Sequence, residues 1–138
     1  MDLKFFYNTP TPMPPVKAPK KVLEPYCFDA YQEDCRHTDV GTAAQDLIKP
    51  GWLYYVLGVG EEAGEILGKI KKLFRDRGGI IDNVFKALLI KECGDVLWYM
   101  ARLLDHFDIP FSVVAATNKE KLLDRMERGV LHGEGDDR

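Results

Sequence analysis

Cysteine is scarce and poorly placed for structural work. The three present, Cys27, Cys35 and Cys93, are an odd number without CxxC spacing or neighbouring histidines, which speaks against a disulfide framework and against a zinc site. A reducing cytoplasm is the expected setting. Positive charge is not in excess either: the formal charge is −3 with 30% charged residues, so nothing is provided to hold a nucleic-acid backbone by counterion release. No run of 18 apolar residues occurs and the N-terminus lacks the apolar stretch of a signal peptide, so neither a membrane partner nor secretion is expected. His37, His106 and His132 are scattered, with no GxSxG elbow or oriented nucleophile, which leaves a Ser/His or Cys/His hydrolase without support.

What is present is a chain of 138 residues, the size of one domain with a real core. Six of its eight prolines (Pro10, Pro12, Pro14, Pro15, Pro19 and Pro25) fall in the first 25 residues, where missing N–H donors and fixed φ exclude a helix. Residues 1–27 are therefore expected to form an extended arm. Lys17, Lys20 and Lys21 make it locally basic, the composition of a solvated linker, and Phe5, Phe6 and Tyr7 could pack on a neighbour. The folded domain is expected over residues 28–138.

Sparse punctuation at Lys49-Pro50-Gly51, Arg77-Gly78-Gly79, Ile109-Pro110 and Gly129 divides that domain into four helical segments. The second, about 52–77, sets Val56, Val59, Ala63, Ile66, Ile70, Leu73 and Phe74 at the period of an amphipathic helix. The third, about 83–107, carries Phe85, Leu88, Leu89, Val96, Tyr99, Met100 and Leu103 at similar spacing and ends at Ile109-Pro110. A fourth runs from about 111 to 128. The first, about 28–48, is interrupted by Thr38, Gly41 and Thr42. No alternating period-2 run competes, so the fold class is all-α.

The acidic residues are placed oddly for a soluble face. Projected at about 100° per residue, Glu61, Glu62 and Glu65 occupy one sector of the second helix beside its apolar stripe. On the third, Glu92 has Leu88, Leu89 and Val96 as its helical neighbours, while Asp95 is followed at i+3 and i+4 by Trp98 and Tyr99. A carboxylate in such surroundings must protonate, find a cation or reach water in a cleft, because its desolvation costs at least several kcal/mol. The plain alternative is a solvated acidic face, but charged residues at core-facing positions are seldom left unpaired.

Register brings these acids together. Glu65 lies 13 residues before Gly78 and Glu92 lies 13 after Gly79, while Glu62 and Asp95 are each 16 away. An antiparallel hairpin about that turn sets all four at one level. No lysine or arginine occupies a matching position, so a divalent cation is the natural counter-charge. All-oxygen ligands suit Mg²⁺ or Mn²⁺, and the absence of histidine from both motifs weighs against zinc and di-iron.

The words Glu61-Glu62-Ala63-Gly64-Glu65 and Glu92-Cys93-Gly94-Asp95 are similar to the EExxE and ExxD signatures of MazG-like members of the all-α nucleoside triphosphate pyrophosphohydrolase superfamily. The likeness takes in Gly94-Asp95-Val96-Leu97-Trp98-Tyr99, Asn118 and Lys121. The ending from Arg128-Gly129 to Gly133-Glu134-Gly135-Asp136-Asp137-Arg138 resembles the tail of phage and bacterial MazG-like proteins.

The resemblance implies a four-helix MazG-like fold and hydrolysis of a (deoxy)nucleoside triphosphate to monophosphate and pyrophosphate, with a purine such as dGTP the preferred guess. By it, Glu62, Glu65, Glu92 and Asp95 would hold Mg²⁺, or Mn²⁺ in its place. Glu61 would hold a further ion or orient the attacking water, sharing the catalytic role with Glu62 and Lys121. Lys121 and Asn118 would meet the triphosphate, with Lys69 and Arg125 as further phosphate candidates, each weighed against an ordinary solvated helix face. Gln32 corresponds to the part of the fold that lines the base, where Trp52 or Tyr55 could stack. Apolar residues on several sides of the second and third helices point to a dimer or tetramer. A non-catalytic nucleotide- and metal-binding regulatory module, or a structural helical adaptor, is the rival expectation.

Overall fold

The computed structural model describes residues 27–133 and 135. Among them lie five helices and no strand: α1 (Phe28–Thr38), α2 (Ala43–Leu47), α3 (Trp52–Arg77), α4 (Asn83–His106) and α5 (Phe111–Glu127). The chain is all-α, but the expected first segment is two helices rather than one. It breaks where Thr38 turns its hydroxyl back to Cys35 O at 3.0 Å and Gly41 takes a φ of 71°, a left-handed conformation that a helix cannot use. The three longer helices keep their expected bounds to within a residue. The expectations for Phe5, Phe6, Tyr7, Lys17, Lys20 and Lys21 lie outside the described residues, as do those for Glu134 and residues 136–138.

α3 and α4 form a long antiparallel hairpin. α3 stops because Gly78 adopts a left-handed φ of 58°, and the N–H of Gly79 closes back on Leu73 O at 3.0 Å. α4 starts at Asp82, whose carboxylate accepts from the Phe85 N–H at 2.8 Å and pairs with Arg77 across the turn. Further along, the helices touch at Gly58, where a Cβ would lie 2.2 Å from Tyr99 Cε1. Only glycine permits that approach. Gly58 and Tyr99 stand 20 residues on either side of Gly78 and Gly79, on the same register as Glu62 with Asp95 and Glu65 with Glu92.

α1 lies against α4 and α5 and closes the core of Cys35, Ala101, Leu104 and Phe111, with Tyr31, Trp98, Met100 and Val114 packed around it. α5 begins at Pro110, which has no side-chain cap to offer, so its first N–H groups look elsewhere. α1 supplies the acceptors. Gln32 Oε1 accepts from Phe111 N at 2.8 Å, and Asp29 accepts from Ser112 N at 2.8 Å and from its hydroxyl at 2.6 Å. The Gln32 amide also donates to Ile109 O at 3.0 Å, with only 4% of the residue exposed. Gln32→Leu is expected to lower stability by roughly 1–3 kcal/mol, since it keeps the volume and strands two backbone groups. Urea unfolding measures this; an unchanged midpoint would mean that water replaces the amide.

A polar network fastens the other end. Asp39 accepts from Arg102 Nε and Tyr55 Oη, both at 2.7 Å, and from Gln45 Nε2 at 3.0 Å, so one carboxylate ties α2, α3 and α4 together. Arg102 also pairs with Asp105, which receives Arg36 at 2.8 Å. Burial opposes the Asp39 charge, yet the hydrogen bonds from Tyr55, Gln45 and Arg102 outweigh it and hold its pKa below the ordinary carboxylate value. A depressed folded-state pKa contributes stability that is fully present above the unfolded pKa of about 4 and is lost as pH falls through the folded value. Acid titration of stability should therefore show a decline below about pH 4 that Asp39→Asn makes shallower. Equal slopes in the two proteins would remove Asp39 from the account.

Candidate metal centre

The hairpin register delivers acids from both helices to one place. Glu62 on α3 and Glu92 and Asp95 on α4 each offer an oxygen, and all three lie within 4.8 Å of one another. Opposite ligands of a single Mg²⁺ are separated by about 4.2 Å, so small side-chain adjustments bring the three onto one ion. Glu62 and Glu92 are partly buried and Asp95 is exposed. Burial raises the Glu62 pKa, and repulsion from Asp95, Glu61, Glu92 and Glu65 adds to it. A group held up in this way is short of positive charge.

One counter-charge to these acids was not foreseen in the sequence, which offered Lys69 only as a phosphate candidate. Lys69 stands a turn beyond Glu65, and its Nζ reaches Glu65 at 3.1 Å and Glu92, across the hairpin, at 3.0 Å. The expectation that no lysine meets these acids is thus corrected: the four-carbon stem carries the ammonium one turn back, to a level that positional matching does not assign it. The hydrogen bonds to Glu92 and Glu65 raise its own pKa. Lys69 offsets one charge among five acids. Glu65, with its side chain 54% exposed, faces Lys69 and stands outside the three-oxygen group, and Glu61 is exposed beside it.

The remaining site candidates lie apart from the acids. Asn118 and Lys121 are exposed on α5, which packs on α1, and among the described residues no bond joins them to the carboxylates. Arg125 is 4% exposed, its Nη2 3.5 Å from Gly135 O in the tail. Gln32 is the buried bracket described above. Of the stacking candidates, Trp52 packs on Phe107 with ring centres 6.0 Å apart, and Tyr55 belongs to the Asp39 network.

Over 111 residues the chain is 40% identical to the Gene 37 protein of Mycobacterium phage L5, a match covering 80% of this chain and 97% of the phage protein. The chain belongs to that Gene 37 family. No family model matches it, and no solved structure does. The phage relative's name states no reaction, so the chemistry of this Gene 37 family member rests on its residues.

Two tyrosines join the site, Tyr99, read in the sequence as a core position, and Tyr54, which the sequence did not single out. Tyr99 follows Asp95 by one turn and Tyr54 precedes Gly58 and Glu62 at steps of four, so both tyrosines border the acids on the side where the helices touch. Their rings are 6.1 Å apart, and Trp98 meets Tyr99 edge-on at 5.0 Å. Burial first, then Tyr54, Glu62 and Glu61, push the Tyr99 hydroxyl up to about 12. In this Gene 37 family protein it is therefore a neutral donor throughout the physiological range.

Proposed function

We propose that the protein is a hydrolase that cleaves a (deoxy)nucleoside triphosphate to its monophosphate and pyrophosphate with Mg²⁺, or Mn²⁺ as a substitute. The observation that carries this reading is the meeting of Glu62, Glu92 and Asp95 oxygens across the α3–α4 hairpin, at the level that EExxE and ExxD spacing implies. The donor set fits a hard cation, being all oxygen and partly solvated. A bound divalent cation would offset triphosphate charge and lower the pKa of a water beside an electrophilic phosphorus.

Glu62, Glu92 and Asp95 would hold the ion, and Glu65 would join them on release from Lys69. Glu61, exposed at the rim, would orient the water and accept its proton. The Lys69 ammonium, once displaced from Glu65 and Glu92, lies one turn from them and would meet a phosphate. Lys121 and Asn118 are assigned to the triphosphate on the strength of the MazG-like resemblance. Gln32, buried, acts through the placement of α5, while Arg125, also buried, reaches the tail at Gly135 O. The exposed Leu57, Leu67, Phe74, Ile80, Val84 and Ile90 on α3, α4 and their turn favour a homo-oligomer, dimer or tetramer. No described helix is long and apolar enough to cross a membrane, and the phage relative suggests work in a host cytoplasm, with nucleotide rather than nucleic acid as partner.

The direct test is pyrophosphate release from the eight common NTPs and dNTPs, with Mg²⁺ and with chelator, dGTP first among them. Chelator-sensitive release is expected, and none from any substrate would end the hydrolase reading. The pairing of Lys69 with Glu65 and Glu92 favours one rival, a non-catalytic regulatory module whose acids lock the hairpin; it predicts nucleotide binding without turnover. Lys121→Ala should lower kcat/KM by about one to two powers of ten, roughly 1.5–3 kcal/mol for one charge-assisted phosphate contact, and leave Mn²⁺ binding intact. Unchanged kinetics would make Lys121 an ordinary surface residue.

A further inference from the structure

A largely apolar groove of about 620 Å³ runs along α5, lined by Ala115, Leu122, Leu123 and Met126, by Leu131 from the segment that folds back after the helix, and at its polar edge by Asn118 and Lys119. The fold-back is anchored by Val130 N donating to Arg125 O at 2.9 Å, with Gly129 at a φ of 70°. Leu122, Leu123 and Met126 are 42%, 43% and 57% exposed, so the groove leaves a contiguous apolar strip in water.

We propose that this groove is the docking site of the chain's own N-terminal segment, with the rings of Phe5, Phe6 and Tyr7 as the groups inserted. The first reason is position. The Phe28 ring lies 5.0 Å from Phe111 and Asp29 bonds Ser112, so Cys27 leaves the fold beside the start of α5. The groove begins one turn on, at Ala115, and its helical length to Met126 is about 17 Å. Twenty residues separate Tyr7 from Cys27, and an extended proline-rich chain of that length reaches about 60 Å. The segment closes on its own domain with no second copy needed.

Charge is the second reason. Lys17, Lys20 and Lys21 follow the aromatic residues, and Glu120, Asp124 and Glu127 form an exposed acidic row on α5 within a turn of the groove, against the single cation Lys119 at the groove's edge. Asp124 pairs with Arg128, while Glu120 and Glu127 have no ion-pair partner among the described residues. The prolines also limit the freedom that the segment loses on docking. Flexible Met126 is suited to ring contacts. None of this depends on the metal reading.

Full-length protein labelled at methionine methyls tests it. The Met126 methyl should be shifted upfield by ring currents and show cross-peaks to the rings of Phe5, Phe6 or Tyr7, independent of protein concentration. The combined substitution Phe5→Ala, Phe6→Ala and Tyr7→Ala should return it to an unshifted position. Trypsin cleavage at Lys17 to Lys21 should become about tenfold faster in that variant and in Leu123→Asp, a surface change that leaves the core alone. A Met126 methyl indifferent to the triple substitution would overturn the proposal. So would a concentration-dependent signal with cross-peaks to α5 of another molecule, which would assign the groove to a second copy.

Discussion

Asp95→Asn is expected to reduce pyrophosphate release by more than about a hundredfold while the helical fold remains. It would remove a carboxylate whose oxygen lies within 4.8 Å of those of Glu62 and Glu92, but almost no volume, and even the outer partners of metal ligands typically matter by factors of about 10–100. Glu65→Gln should follow it, because Glu65 completes the level formed with Glu92. Metal-free, the Asp95→Asn protein should be as stable as the unmodified chain or more so, since Asp95 is among the charges that disfavour ionised Glu62. Mg²⁺ should raise the Tm of the unmodified protein and not of the variant. Full Mg²⁺-dependent activity in both substitutions would remove the acids from the chemistry, and a large loss of metal-free stability would make them structural ion pairs.

Gly58→Ala should destabilise the protein by about 2 kcal/mol, although alanine is the better helix former by about 1 kcal/mol. The added Cβ would stand 2.2, 2.3 and 2.6 Å from three atoms of the Tyr99 ring, which Trp98 meets on one edge and Tyr54 approaches on another. The ring cannot turn away freely, so the helices must move apart. That displacement falls a single turn from both Glu62 and Asp95, and activity should fall further than stability does. Gly68→Ala, with nothing within 4 Å of its Cβ, should be neutral or stabilising in the same helix. Thermal unfolding of both variants checks this; equal Tm values would show that the contact at Gly58 yields without strain.

Much of the hairpin was legible in the sequence because its information is local and periodic. The apolar spacing in α3 and α4 and the Gly78-Gly79 punctuation set the bounds, and once the turn is placed the pairing of Glu62 with Asp95 is arithmetic; the Asp82 cap came only with the structure. What escaped depends on side chains reaching between elements. Gln32 shares the buried face of α1 with Cys35, a polar residue among apolar ones, and Pro110 begins a helix without a cap; together these signal a bracket, but only when α1 is known to cross the start of α5. The pairing of Lys69 with the acids was missed because its reach, not its position, brings it to Glu92. The break at Gly41 was visible as a weakness, yet its outcome depends on Asp39 being gathered by Tyr55 and Arg102 from distant helices. Lys121 and Asn118 remain assigned by resemblance, apart from the acids in a single chain.

The central claim is that Glu62, Glu92 and Asp95 hold a divalent cation. Calorimetric titration of the full-length, nucleotide-free protein with Mn²⁺ tests it most directly, with Asp95→Asn as the comparison. Saturable binding to the unmodified chain, lost or weakened at least tenfold in Asp95→Asn, is the predicted result. Binding of equal strength in both proteins, or none in either, would contradict it.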